Sequence, residues 1–160
     1  MKKVAQMIKK ASQRLGEPIE YAVRVTAAGA GARAANQGAA QAAGGIVGGL
    51  IAHAMGEDVS ALQTPAGYER TMYMVVTASR VVFFEIVIGL VTTSPGAIIA
   101  EYKRDEVRGF SVGASKMAIP FFIMREFRLE FECEPEFHLE VLTLPFYRTP
   151  IKRLDAILTP

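Results

Sequence analysis

The amino-acid sequence predicts an α+β fold that is mainly β, with about seven antiparallel strands. Three observations support this prediction. From residue 70 to residue 144, short segments rich in β-branched and aromatic residues follow one another, separated by turn sequences. Before them, a long block of Ala and Gly follows a first strand-like segment. An amphipathic helical pattern then ends the chain near residues 151–158.

The first sixteen residues predict a short amphipathic helix with a basic side. Four apolar residues recur at helical spacing and form one thin edge: Val4, Ile8, Ala11 and Leu15. Gly16 is a suitable stop. Five cations and no acid precede it: Lys2, Lys3, Lys9, Lys10 and Arg14. Two hypotheses remain open for this helix, contact of the cations with anionic lipid headgroups or docking of the apolar edge on the chain's own domain.

A half-buried strand is predicted over residues 19–25, where apolar and polar side chains alternate. In the block that follows, Ala and Gly fill 20 of the 30 positions 27–56, which favours a helix over about residues 34–55. Small residues four apart share a face of this helix and allow close approach of a neighbour, as in a glycine zipper. The expected packing positions are Ala40, Gly44, Gly45, Gly48, Gly49 and Ala52.

The Ala/Gly-rich segment, residues 34–56, is long enough to cross a bilayer but weakly hydrophobic. Asn, Gln and His interrupt it, and Ala and Gly contribute little transfer free energy. Its large apolar residues form one compact stripe: Ile46, Val47, Leu50, Ile51 and Met55. We therefore expect this helix to pack on its own sheet or in a subunit interface. Insertion into lipid and a flexible segment are the alternatives.

Six further strands are expected in a meander, followed by a helix. Residues 71–77 and 80–88 predict a hairpin around Ala78-Ser79. Gly89 and Ser94-Pro95-Gly96 predict the next turns. The remaining segments are a strand at 97–102, a charged edge at 103–108, a weak strand at 110–116 and strands at 121–131 and 137–144. In the final helix, Thr149 is the expected N-cap and Pro150 the first residue, and the expected apolar face is Ile151, Leu154, Ile157 and Leu158.

Two segments resemble a known family. Thr77-Ala-Ser-Arg80-Val-Val-Phe-Phe84 resembles the T-x-x-R hairpin turn of bacterial pleckstrin-homology-like and GRAM-like domains. Glu101-Tyr-Lys-Arg-Asp-Glu-Val107 is similar to the family's strand that ends in an acidic and a branched apolar residue. The resemblance covers about residues 17–158. It implies a bent barrel of seven strands with one open end plugged by the C-terminal helix, and a role in lipid binding or protein docking.

We accordingly predict two parts, a basic N-terminal helix over 1–16 and one pleckstrin-homology-like domain over 17–160 that includes the insert 34–56. Members that bind phosphoinositides place several basic residues around the first inter-strand loop. Only Arg24 and Arg33 lie in that region here.

The sequence contains no recognisable catalytic set. Cys133 and His138 flank a turn, as a thiol and its base would, but acids at 132, 134 and 136 oppose a thiolate. The two histidines have no carboxylates at metal-ligand spacing, and the glycines do not follow a dinucleotide or phosphate-loop pattern. With a net charge of +2 and no basic-aromatic alternation, nucleic-acid binding is not expected. We predict no enzyme activity, metal or cofactor.

The predicted function is a non-catalytic binding or docking module that engages a protein partner or a membrane surface. The alternative is a homo-oligomeric assembly or scaffold protein packed through the small-residue helix. Cys133 is the only cysteine and no signal segment opens the chain, so we expect a cytoplasmic protein with peripheral membrane association as an option.

Overall fold

The structure is a computed structural model that describes residues 2–28, 64–68, 70–88, 93–119, 122–143 and 151–158. Within these residues there are two helices and seven strands: α1 Lys2–Leu15, β1 Ile19–Ala27, β2 Met72–Thr77, β3 Arg80–Ile88, β4 Thr93–Lys103, β5 Val107–Ile119, β6 Phe122–Phe131, β7 Phe137–Thr143 and α2 Ile151–Leu158. Short 3-10 helices lie at Pro65–Gly67 and Arg104–Glu106. The predicted Ala/Gly-rich helix lies outside the described residues.

The strands form one antiparallel sheet in the order β4-β3-β2-β1-β7-β6-β5. Strand β1 pairs with β2 along most of its length and with β7 at its end, where Thr26 lies opposite Glu140. The other neighbours are consecutive in the chain, as in a meander. The predicted mainly β fold, with seven antiparallel strands and a small C-terminal helix, is confirmed.

The sheet curls around one apolar core. Tyr102 of β4 stacks on Phe131 of β6 with ring centroids 4.1 Å apart, although these strands belong to opposite halves of the sheet. Phe83 of β3 meets Phe137 of β7 edge-on in the same way. Helix α2 packs into this core through its predicted apolar face, with Ile151, Leu154 and Leu158 buried and Ile157 half-buried.

A second, smaller cluster lies on the outer face of the sheet beneath α1. Three residues of the helix are buried in it: Met7, Ala11 and Leu15. They pack on alternate residues of β2 and β3, namely Tyr73, Val75, Val82 and Phe84. All six residues of β2 are therefore buried, since one set faces the core and the other faces α1. Of the predicted apolar edge of α1, Ala11 and Leu15 are buried on the chain's own sheet and Ile8 is half-buried. Contact of the cations with anionic lipid stays a prediction.

The predicted turn at Ser94-Pro95-Gly96 is wrong, because these residues belong to β4. Among the described strands, β4 pairs only with β3 and lies at one edge of the sheet. An edge strand tolerates proline because the missing N–H costs no ladder hydrogen bond on the free side. The register shifts between Phe84 and Ile86, next to this segment. Strand β5 is likewise longer than the weak strand expected at 110–116.

Three other turns lie where the sequence places them. Helix α1 ends at Leu15, and Gly16 follows with φ of +69° and its N–H bonded to the Ser12 carbonyl at 2.9 Å. The β2–β3 hairpin turns at Ala78-Ser79. The predicted turn at 64–67 is the first 3-10 helix.

Candidate functional site

The T-x-x-R segment forms a closed hairpin turn. The buried Thr77 hydroxyl accepts hydrogen bonds from the backbone N–H groups of Ser79, at 3.3 Å, and Arg80, at 3.0 Å. A threonine that bonds to the two following residues in this way fixes the turn locally. The turn thereby places the Arg80 side chain against the junction between α1 and β1.

Arg80 joins three elements at that junction. Its guanidinium donates to the Glu17 carboxylate at 3.0 Å, to Glu101 of β4 at 2.8 Å and to the Leu15 carbonyl at 2.9 Å. The Ser79 hydroxyl also donates to Glu17, at 2.8 Å. The Thr77 and Ser79 hydroxyls, together with Arg80, lower the pKa of Glu17 to about 2. The C-terminal end of α1 is thus fixed to the sheet by hydrogen bonds as well as by apolar packing.

Arg104 makes a second connection at the same corner. Its guanidinium donates to Glu20 of β1 at 2.9 Å, to the Thr77 carbonyl and to the Ile157 carbonyl of α2. The backbone N–H of Arg104 also donates to the Ser79 carbonyl at 2.8 Å. The two segments that carry the family resemblance, 77–84 and 101–107, are therefore in direct contact. Their charged residues hold the corner of the fold together.

An open depression of about 920 Å³ lies between the β2–β3 turn, the second 3-10 helix and the end of α2. Its basic residues are Arg80, Lys103, Arg104 and Arg108. The three arginines are ion-paired, with Arg108 held by Glu132 at 2.6 Å. Carboxylates already neutralise most of the positive charge here, so we assign no anionic ligand to this depression.

The cations predicted to contact lipid lie on a helix that is buried against the sheet at Met7, Ala11 and Leu15. Lys10 donates to the Ser94 hydroxyl at 2.7 Å, and Arg14 donates to the Gly96 carbonyl. The Arg14 guanidinium also lies 5.6 Å from the centroid of the Phe84 ring. These contacts fix one flank of α1 along β4. Lys9 is exposed, and Lys2 and Lys3 belong to the first turn of the helix.

The same outer face carries one cation that the sequence analysis did not assign to a site. Arg24 of β1 is exposed and lies opposite Tyr73, which packs beneath α1. The alternation of β1 indicates that Arg24 faces outward, because it falls between the inward-facing Val23 and Val25. Its placement opposite Tyr73, which packs beneath α1, follows only from the pairing of β1 with β2.

The thiol and imidazole considered as a catalytic pair have different surroundings. Cys133 is exposed in the β6–β7 turn, whereas a ring nitrogen of His138 lies 2.7 Å from the Glu136 carboxylate. In the part of the chain that the structure describes, no hydrogen bond joins the two residues. The described residues also contain no group of three or more metal-ligating side chains.

Two further predictions concern the membrane and the small-residue helix. No described helix combines the length and hydrophobicity needed to cross a bilayer. The expected helix-packing positions, Ala40, Gly44, Gly45, Gly48, Gly49 and Ala52, lie outside the described residues. The homo-oligomer alternative built on them therefore stays a prediction.

Comparisons with protein-family models, with curated proteins and with solved structures give no significant match to this chain. The family resemblance therefore rests on the two segments at the corner of the fold.

Proposed function

We propose that the chain is a non-catalytic docking module with a pleckstrin-homology-like fold. The strand order β4-β3-β2-β1-β7-β6-β5, with a C-terminal helix packed into the core of a curled sheet, supports this proposal. That arrangement agrees with the bent seven-stranded barrel and plugging helix that the sequence resemblance implies. The contact between the two resembling segments supports it further, because each segment then has a definite place in the fold.

The charge distribution favours a docking surface over a ligand pocket. The arginines around the depression are already bound by carboxylates. By contrast, Lys9 of α1 and Arg24 of β1 are exposed on the outer side of the sheet. Unpaired surface charge of one sign attracts a partner of opposite charge over a wide area. The module would therefore engage a protein partner or a membrane surface through the outer side of α1.

The test is whether the chain associates with cellular structures through this side. Wild type and a Lys9→Glu, Arg24→Glu variant are compared by fractionation of cell extracts at low ionic strength. We expect wild type in a membrane or high-mass fraction and the variant at its free mass of 17.4 kDa. Lys103→Glu, which reverses an exposed lysine beside the depression, is the control for a general charge effect.

A wild-type chain that stays at its free mass in every fraction would contradict the docking function. Light scattering on the purified protein separates self-association from docking. A stable multiple of 17.4 kDa for the purified chain would favour the assembly alternative.

A further inference from the structure

We propose that the exposed side of α1, extended by Arg24, is a rigid cationic surface that docks on an anionic lipid bilayer without inserting into it. The inference rests on the docking function proposed above, and it names the partner and the side of the domain that faces it. The outer face of β1 to β4 would lie towards the bilayer.

The contacts of α1 divide the helix into three sides. Positions 7, 11 and 15 form the buried side against the sheet. Positions 10 and 14 form a flank whose side chains bond to β4. Positions 6, 9 and 13 are exposed, and by helical spacing they form one row along the solvent side. The apolar packing, the two bonds to β4 and the Arg80 bond to Leu15 hold this row in a fixed orientation.

The charge on this side is not compensated locally. Helix α1 contains no acidic residue. The next acids along the chain, Glu17 and Glu20, each bind an arginine at the end of the helix. Among the described residues, neither Lys9 nor Arg24 contacts a carboxylate. The surface therefore offers free positive charge from two elements held in one orientation.

The same contacts exclude insertion of α1 while it stays docked. Met7 and Ala11 are fully buried against the sheet, Leu15 is buried and Ile8 is half-buried. Over positions 5–15 of α1, where side-chain burial is described, the exposed residues are Ala5, Gln6, Lys9, Lys10, Gln13 and Arg14, and none of these is aromatic or branched apolar. Helices that insert into the headgroup region need such anchors. Attachment would therefore be electrostatic, and salt should weaken it.

A bilayer fits this surface better than a folded protein partner does. Stable protein interfaces concentrate their binding energy in buried aromatic, apolar or arginine anchors surrounded by complementary shape. The exposed side of α1 offers charge and small or polar residues. Anionic headgroups attract such a surface through charge alone.

The experiment uses the purified full chain and vesicles of phosphatidylcholine with or without phosphatidylserine. Sedimentation with the vesicles gives the partition coefficient at low and at high salt. We expect binding only to vesicles that contain phosphatidylserine, and loss of binding at high salt. Lys9→Glu and Arg24→Glu should each weaken binding roughly tenfold or more, since each change removes an attraction and adds a repulsion.

Lys103→Glu is the matched control, because it makes the same change in net charge at the far end of β4 from Ser94. We expect its effect to be much smaller than that of Lys9→Glu. Equal thermal unfolding of all variants shows that the fold is retained. Equal weakening by Lys103→Glu and Lys9→Glu would overturn the assignment of the surface to α1.

Other outcomes separate the two proposals. Suppose that wild type does not bind anionic vesicles but Lys9→Glu, Arg24→Glu abolishes association in cell extracts. The surface then serves an acidic protein, so the lipid inference fails and the docking function stands. If wild type binds neither vesicles nor cellular fractions, both proposals fail. Binding to vesicles that resists high salt would also overturn the inference, since insertion would then hold the protein.

Discussion

The two described helices, α1 and α2, cover opposite faces of the same sheet and are held there by different means. Helix α2 closes the inner core with Ile151, Leu154 and Leu158, all buried. Helix α1 lies on the outer face, where a smaller cluster holds its apolar edge and hydrogen bonds to β4 and Arg80 hold its flank and end. The core therefore depends on α2, whereas α1 leaves a charged side exposed. The C-terminal helix α2 therefore stabilises the core, and the N-terminal helix α1 provides the exposed charged surface.

Leu154→Ala is the strongest test of the different roles of α1 and α2. Leu154 is fully buried in the larger cluster, so its truncation should cost about 3 kcal/mol out of a typical net stability of ~5–15 kcal/mol. Urea unfolding measures the loss. The neighbouring exposed Arg153 is the control, and Arg153→Ala should change stability by less than about 0.5 kcal/mol. Equal, small losses in both variants would mean that α2 does not belong to the core.

A smaller effect is expected from Met7→Ala on the outer face. Met7 is fully buried, and removing its side chain should cost about 2 kcal/mol in apolar burial. The loss should appear first as faster amide hydrogen exchange in α1, while the core strands keep their protection. Gln6→Ala, at an exposed position of the same helix, is the control. If Met7→Ala lowered global stability more than Leu154→Ala, the fold would depend on α1 more than on α2, contrary to this assignment.

The smallest effect concerns the bonds that fix the end of α1. The pKa of Glu17 is lowered from 4.5 to about 2 in the folded chain. Between these values the unfolded chain binds more protons, so stability rises with pH. The contribution of Glu17 is therefore complete above pH 4.5 and is lost as the pH falls towards 2.

Unfolding of wild type and Glu17→Gln at a series of pH values measures this contribution. The variant cannot titrate at position 17, so its stability should fall less steeply between pH 4.5 and 2. Parallel curves for the two proteins in this range would show that Glu17 has the same surroundings in the folded and unfolded chains.

Elements with one buried face were predictable from the sequence alone. In β1, Tyr21, Val23 and Val25 face the core as their alternation predicts. In β6 the inward set is Phe127, Leu129 and Phe131, and the charged residues between them are exposed. A strand with one buried face alternates apolar and polar residues along the sequence. This alternation is the same whichever strand it pairs with.

Features that depend on a distant partner were not predictable. The Pro95 segment looks like a turn until β4 is known to be an edge strand. Arg80 and Glu17 are 63 residues apart, and no local pattern joins them. At the candidate docking surface, composition identified the cations of α1. The side of the helix that stays exposed, and the addition of Arg24 from β1, required the register of the sheet.

The bond from Arg14 to the Gly96 carbonyl has a consequence for the solubility of the chain. Strand β4 is an edge strand, and a bare edge can template pairing with another molecule. Arg14 of α1 donates a hydrogen bond to the Gly96 carbonyl of this strand. A chain shortened to begin at Glu17 would lose the arginine and would also uncover the apolar cluster of β2 and β3. Removal of α1 would therefore favour aggregation, because this helix covers the outer face of the sheet and also binds the edge strand β4.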